Sequence, residues 1–230
     1  MFLIGGVLLC LLVWPASIRQ GINGEVTQRR IPWAIKGMDF LLRDYEYRRI
    51  SEEVTQGLGT NELKAEALFH WTHEHIRPTP PGMPVVDDHI THIIIRGYGQ
   101  EDQRADVFCT LATYAGIPSF WKIFRSPAKP RSLVLSFAKI RGRWTVWDVS
   151  AGIAFRHPHG RLASVDEVAA DPGLIRLAGE RAPQRAQLYL LHLPDGLTRF
   201  SAPKPLRAAK QMPAARLLFE LTKGWHWSKA

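Results

Sequence analysis

The stretch Arg96-Gly97-Tyr98-Gly99-Gln100-Glu101-Asp102-Gln103-Arg104-Ala105-Asp106-Val107-Phe108-Cys109 constrains this chain more than any other. It reads as a glycine-hinged turn that runs straight into a helix. Gly97 and Gly99 tolerate positive φ, which a sharp entry requires. Asp102 is placed to cap the free N–H groups of the new helix. Ala105, Phe108, Cys109 and Ala112 then fall on one face at helical spacing, and Gly116 stands at a C′ position where the helix should stop. The start of such a helix favours negative charge, through its dipole and its free N–H groups, and suits a reactive group.

The hydrophobic period differs on the two sides of this unit. Before it, Trp33, Met38, Leu41, Leu42 and Tyr45 recur at helical spacing until Gly57 and Gly59. A second helix capped by Thr60 or Asn61 carries Leu63, Ala67, Leu68 and Trp71 on its buried face. Pro78, Pro80, Pro81 and Pro84 mark a loop, and Val85 to Ile95 is mixed. After it come three short runs rich in β-branched and aromatic residues: Ser119 to Arg125, Leu133 to Ile140 and Trp144 to Val149. Arg141-Gly142 predicts a hairpin turn between the last two. Ser164-Val165-Asp166-Glu167 is a capping box for a short helix that Asp171-Pro172-Gly173 stops. Gln187 to Leu193 suits strand or helix, and Pro213 to Lys223 predicts an amphipathic helix. The fold class is therefore α+β, with helices packed on an antiparallel sheet.

Residues Phe2 to Ile18 form an apolar run followed by Arg19. The run is somewhat short of the ~20 residues a spanning helix needs. An N-terminal membrane helix over 1–18 is the expectation, with a signal peptide or a buried segment as rivals. Trp14-Pro15-Ala16-Ser17-Ile18 makes a poor cleavage site for a signal peptide. Arg19, Arg29 and Arg30 follow the run, which by the positive-inside tendency points the bulk of the protein toward the cytoplasm, although the side of the membrane stays open. The remaining organisation is a helical region over 19–59, a core over 60–168, and a C-terminal extension over 169–230.

Order and spacing connect three pieces: Gly97-Tyr98-Gly99-Gln100-Glu101-Asp102, Ala115-Gly116-Ile117, and Gly142-Arg143-Trp144-Thr145-Val146-Trp147-Asp148. Together they resemble the core of the transglutaminase-like superfamily, whose fold is related to papain-like cysteine proteases. The likeness covers roughly Asn61 to Val168. It implies a catalytic Cys at the start of the central helix, a His on a following strand and an Asp on the next. The logic is a thiolate held by an imidazolium that a carboxylate orients. Residue by residue, the nucleophile position falls on Glu101, the His position near Ser132 or on Leu133, and the Asp position on Asp148. No histidine occurs between His92 and His157. Cys109 lies about two turns beyond Glu101, roughly 12 Å at ~1.5 Å per residue, on the face expected to be buried. Two of the three roles are thus vacant.

Other candidate chemistry is thinner. His89 and His92, with Asp87 or Asp88, have the spacing of a metal pair but no obvious third ligand; no metal and no cofactor is expected. His70, His73 and His75 read as surface or satisfied side chains, and His157 and His159 as loop residues. Cys10 and Cys109 are the only two cysteines, which excludes a disulfide framework. The formal net charge of +9 suggests acidic partners. Lys122, Arg125, Lys129, Arg131, Lys139, Arg141 and Arg143 occur with no acidic residue among them. They suit solvated strand edges, anionic lipid, an acidic glycan or another envelope protein. No recognised nucleic-acid module appears. The combined expectation is a membrane-anchored, transglutaminase-like domain without its thiol machinery, acting in binding or scaffolding, for example in cell-envelope or polysaccharide assembly. The rivals are a hydrolase using Glu101 and Asp148, and a peripheral anionic-lipid-binding protein.

Overall fold

The computed structural model describes residues 13–87, 89–126, 129–204, 206–216 and 218. The first described residue, Val13, is helical, and a hairpin follows almost at once. Strand β1 (Pro15–Ile22) pairs antiparallel with β2 (Glu25–Pro32), in unbroken register from Pro15↔Pro32 to Ile22↔Glu25. Asn23 and Gly24 make the two-residue turn with φ of 51° and 87°, the positive values that a tight hairpin turn needs. The end of the apolar run is therefore strand. Pro15 is unsuited to a helix interior, and the backbone groups from Pro15 onward are committed to β2. No helix among the described residues is long and apolar enough to cross a membrane. Residues 2–12 of the run lie outside the described residues. The region 19–59 is thus part strand, and its helix α1 (Trp33–Thr55) starts where β2 ends.

Helix α2 (Asn61–His75) is capped by Thr60, whose hydroxyl accepts the Leu63 N–H at 3.2 Å. It buries Ala65, Leu68, Phe69 and Thr72, while Leu63 faces solvent. Two short strands, β3 (Arg77–Pro78) and β4 (Val86–Asp87), lead to α3 (Ile90–Arg96). Gly97 closes α3 in the left-handed region with φ 70°, and β5 (Tyr98–Gly99) pairs parallel with β3. Helix α4 (Glu101–Tyr114) follows at once. Every residue from Gln103 to Ala112 is buried, because α4 is enclosed by α1 and α2 as well as by the sheet. It stops at Ala115 and Gly116, the latter with φ 82°, and the Ile117 N–H returns to the Ala112 carbonyl at 2.9 Å.

The sheet runs in the order β6-β7-β8-β9 and is antiparallel throughout: β6 (Ser119–Ser126), β7 (Lys129–Ile140), β8 (Arg143–Asp148) and β9 (Ile153–Ala154). Arg141 and Gly142, at φ 50° and 79°, form the β7–β8 turn. Strand alternation gives the sheet two apolar faces. Ala138, Ile140 and Trp147 join Leu68, Phe69, Phe108 and Leu111 on the α4 side. Phe120, Leu135, Phe137 and Val146 join Phe155, Tyr189 and Leu193 on the other. Three helices cover that second face: α5 (Val165–Ala170), α6 (Pro172–Arg181) and α7 (Pro183–Thr198). Ser164 and Glu167 form the expected capping box at α5. Gln187 to Leu193 is helix within α7. The segment read as an extension over 169–230 thus closes one side of the sheet. A short 3₁₀ turn follows at Ala208–Gln211; residues 213–216 are helical, and most of the helix expected beyond them lies outside the described residues.

Candidate functional site

Glu101 is the first residue of α4. Its N-cap is Gln100, in a reciprocal capping box with Gln103; the Gln100 N–H donates to Gln103 Oε1 at 3.0 Å. Asp102 does not cap the helix as expected; its carboxylate accepts the adjacent Gln103 N–H at 2.9 Å. The reason is tertiary. Gln103 is buried and its amide also donates to the Val86 carbonyl, and Arg96 donates to Gln103 Oε1 and to Val86 at 3.1 Å each. Gly99 suits the close approach here, since a Cβ would stand 3.0 Å from Gln103 Oε1, a tight contact that Gln103 would have to yield to.

Asp148 ends β8 with its side chain fully buried. It accepts three hydrogen bonds: from the Ala151 N–H at 2.9 Å, the Tyr189 hydroxyl at 2.9 Å and Arg185 Nε at 3.0 Å. The other edge of the same guanidinium grips Glu101, with Nη1 to Oε1 at 2.6 Å and Nη2 to Oε2 at 3.1 Å. Arg185 of α7 therefore bridges the two carboxylates in a fork geometry. Burial pushes the Asp148 carboxyl up, and Arg185, the Ala151 N–H and Tyr189 pull it back. Arg185 itself is held charged: burial opposes the charge, but Asp148 and Glu101 raise its pKa beyond the usual guanidinium value. Burial beside Asp148 also raises the Tyr189 phenol.

Leu133, the third triad position, is fully buried in the second core. It lies on β7 three residues beyond that strand's last pair with β8, Ser136↔Trp147, and an apolar side chain there takes no part in the Glu101–Arg185–Asp148 bonds. A second arginine adjoins the pair instead. Arg104, buried one turn along α4, donates to the Ser150 carbonyl at 3.2 Å and the His73 carbonyl at 3.3 Å, while its Nε has no partner. His73 sets its Nδ1 2.8 Å from the Val149 carbonyl, and its ring lies against Gly152, where a Cβ would stand 2.8 Å from Nε2. A cavity of about 290 Å³ opens beside these groups, lined by Thr79, Glu101, Arg104, Ser150, Gln184 and Arg185 among others.

The chemistry of this constellation is restricted. Glu101 is an anion at a helix start, held in a bidentate ion pair, which lowers its reactivity. A guanidinium has only donors and does not take up a proton, so it relays none. Cys109 is fully buried in the first core, and burial pushes its thiol far above the usual range. It offers no thiolate to the cleft.

The remaining candidates lie elsewhere. Arg141 pairs with Glu62 at 3.0 Å and Arg143 with Glu167 at 3.1 Å, so the fold supplies carboxylates that the local sequence lacks. Lys122 and Lys139 lie over the Phe124 and Trp144 rings. Arg125 and Arg131 are exposed. The His89 and His92 rings are 6.0 Å apart, and no group of three His, Cys, Asp or Glu side chains comes together among the described residues. Asp88 lies outside them. Arg185, Tyr189, Arg104 and His73 are the site residues that sequence reasoning missed. Arg185 and Tyr189 are four apart on α7, a spacing that signals a shared face only once that segment is known to be helical.

No family model matches the chain, and no curated protein does. Solved structures that resemble it include a protein from Cytophaga hutchinsonii provisionally assigned as a cysteine protease, at 13% identity and a TM-score of 0.40. The match covers 55% of this chain and 45% of that one. A provisionally assigned protease from Parabacteroides distasonis aligns at 14% identity and TM-score 0.36, over 61% and 39% of the two chains. A TGase aligns at 13% and 0.34, over 66% and 48%. This chain spans less than half the length of each of these proteins. Nothing about activity follows from likenesses this distant.

Proposed function

We propose that this chain is a transglutaminase-like domain that keeps the triad's charge pattern and cleft without its acyl-transfer chemistry, so that its role is binding or scaffolding. One observation carries this reading: the Arg185 guanidinium spans Glu101 and Asp148. A thiolate, an imidazolium and a carboxylate would present negative, positive and negative charge in that order, and Glu101, Arg185 and Asp148 do the same. The substitution keeps the electrostatic logic of the site but removes the nucleophile and the proton carrier. The partner class that suits the net charge of +9 is acidic: a glycan, a lipid or an envelope protein with an acidic surface.

The test is an assay of the purified full chain for amine incorporation into glutamine peptides and for peptide and ester hydrolysis. The expected result is no turnover above the buffer rate, unchanged in Cys109→Ala and Glu101→Gln. Thiol-dependent turnover lost in Cys109→Ala would overturn the reading. Turnover lost in Glu101→Gln would replace it with a hydrolase built on Glu101 and Asp148.

A further inference from the structure

The first half of α1 turns an apolar face to solvent. Ile35, Met38, Leu41, Leu42 and Tyr45 are between 54% and 71% exposed, while Arg43, Tyr47 and Ile50 form the buried side. Steps of three and four residues place Met38, Leu41, Leu42 and Tyr45 in one stripe. With Ile35 it extends about 15 Å along the helix. Charged residues (Arg48, Arg49 and Glu52) succeed it on the same side, so the apolar character is confined to the end nearest the hairpin. Trp33 and Trp14 stand at that end, both more than half exposed, joined by the Trp33 N–H to the Trp14 carbonyl at 3.0 Å. A contiguous apolar surface of this kind marks a contact site.

Three features say what covers it. Trp14 stands at this end of the stripe, and the residues that precede it in sequence, 2–12, contain no charged side chain and no strong hydrogen-bonding one. A sequence of that composition offers no polar side to water. Second, residues 13–38 carry four basic side chains, Arg19, Arg29, Arg30 and Lys36, against the single acid Glu25. The three arginines are exposed on the hairpin, and Arg30 and Arg19 lie on one of its faces by the pairings Ser17↔Arg30 and Arg19↔Gln28. Third, tryptophan and tyrosine border the aliphatic stripe, the residue types that settle at a membrane–water interface.

We propose that the α1 stripe, with Trp14 and Trp33, lies in the interfacial layer of an anionic lipid bilayer, and that the hairpin arginines meet its headgroups. The helix lies along the surface and does not span it, since its opposite side is packed on the protein core. This surface is separate from the cleft and does not depend on the reading of Glu101.

The test uses the full chain with Cys10→Ser and Leu42→Cys, labelled at residue 42 with an environment-sensitive dye; Cys109 is buried. Vesicles of phosphatidylcholine, alone or mixed with phosphatidylglycerol, are added. The expected result is a blue shift, quenching by brominated acyl chains, and preference for the anionic vesicles that salt weakens. In the unlabelled chain, Met38→Glu with Leu42→Glu weakens binding by roughly tenfold or more without changing circular dichroism, because both side chains are exposed before lipid is met. Three outcomes overturn the proposal: a label that stays in water while the chain binds vesicles, a double variant that binds like the parent, and a lipid-free dimer that the double variant dissociates. The last would assign the stripe to a second copy of this chain.

Discussion

Arg185→Met isolates the central ion pair. Methionine keeps most of the aliphatic bulk but leaves Asp148 with only Tyr189 and the Ala151 N–H. The Asp148 side chain is 0% exposed and that of Arg185 10%, so the pair is desolvated, and removing one partner costs about 3–5 kcal/mol. The second contact adds less. Glu101 is 41% exposed, and its share is about 0–1 kcal/mol after solvent screening. Asp148→Asn should cost an intermediate ~1–3 kcal/mol, since Arg185 keeps Glu101 as a partner. The expected order of loss in urea unfolding is Arg185→Met, then Asp148→Asn, then Glu101→Gln. The pH dependence gives an independent sign. Without Arg185 the folded-state pKa of Asp148 rises further above the ~3.9 of an unfolded aspartate. The folded variant then binds more protons than its unfolded chain between those two values, and its stability falls with rising pH by about 1.4 kcal/mol per unit in that window. Its deficit against the parent therefore grows as pH rises from the parent's folded-state pKa toward the variant's higher one. An Arg185→Met protein within ~1 kcal/mol of the parent, or a deficit that grows toward acid pH, would refute the reasoning.

Glu167 makes the opposite pH prediction. Arg161 above all, with the Ser164 N–H and His157, holds its carboxyl below the usual range, outweighing burial, which pushes it up. Its contribution is present above the unfolded value of ~4.3 and is lost as pH falls through the depressed folded pKa, so Glu167→Gln costs about 1–2 kcal/mol near neutrality and progressively less below pH ~4. Cys109 should resist maleimide in the folded Cys10→Ser chain and react once urea exposes it; rapid labelling in the native state, read by mass, would contradict its burial.

The parts of this fold that local chemistry determines were legible. The three strand runs are the β6, β7 and β8 strands, and Arg141-Gly142 turns where expected because two consecutive positive φ values suit a two-residue hairpin. Gly97 and Gly116 bound the α3–α4 unit for the same kind of reason. Asn23-Gly24 is an equally direct hairpin signal, but it was hidden behind the apolar run that precedes it. The apolar spacing of Trp33 to Tyr45 marked a helix without saying which side is buried, and here the buried side carries Arg43, joined to Asp39 at 3.1 Å, and Tyr47. Arg185 was beyond local reading altogether. It stands 84 residues from Glu101 and 37 from Asp148, and an arginine in a helix with two carboxylates elsewhere has no sequence pattern to announce it.

The cleft and the ion-pair network rest on different supports. The turn into α4 is held by Gln100, Gln103, Arg96 and the Val86 carbonyl, none of which bonds to Arg185. Its glycine makes room for Gln103, not for Glu101. Glu101 is thus a passenger on a rigid helix start, and the network ties that start to α7 from outside. Removing its charge changes what lines the cavity while the backbone that shapes it stays fixed by other bonds. Glu101→Gln therefore separates chemistry from geometry, and that makes it the discriminating variant for this site: a change in turnover would report a reactive carboxylate, and a change in ligand affinity alone would report a binding cleft.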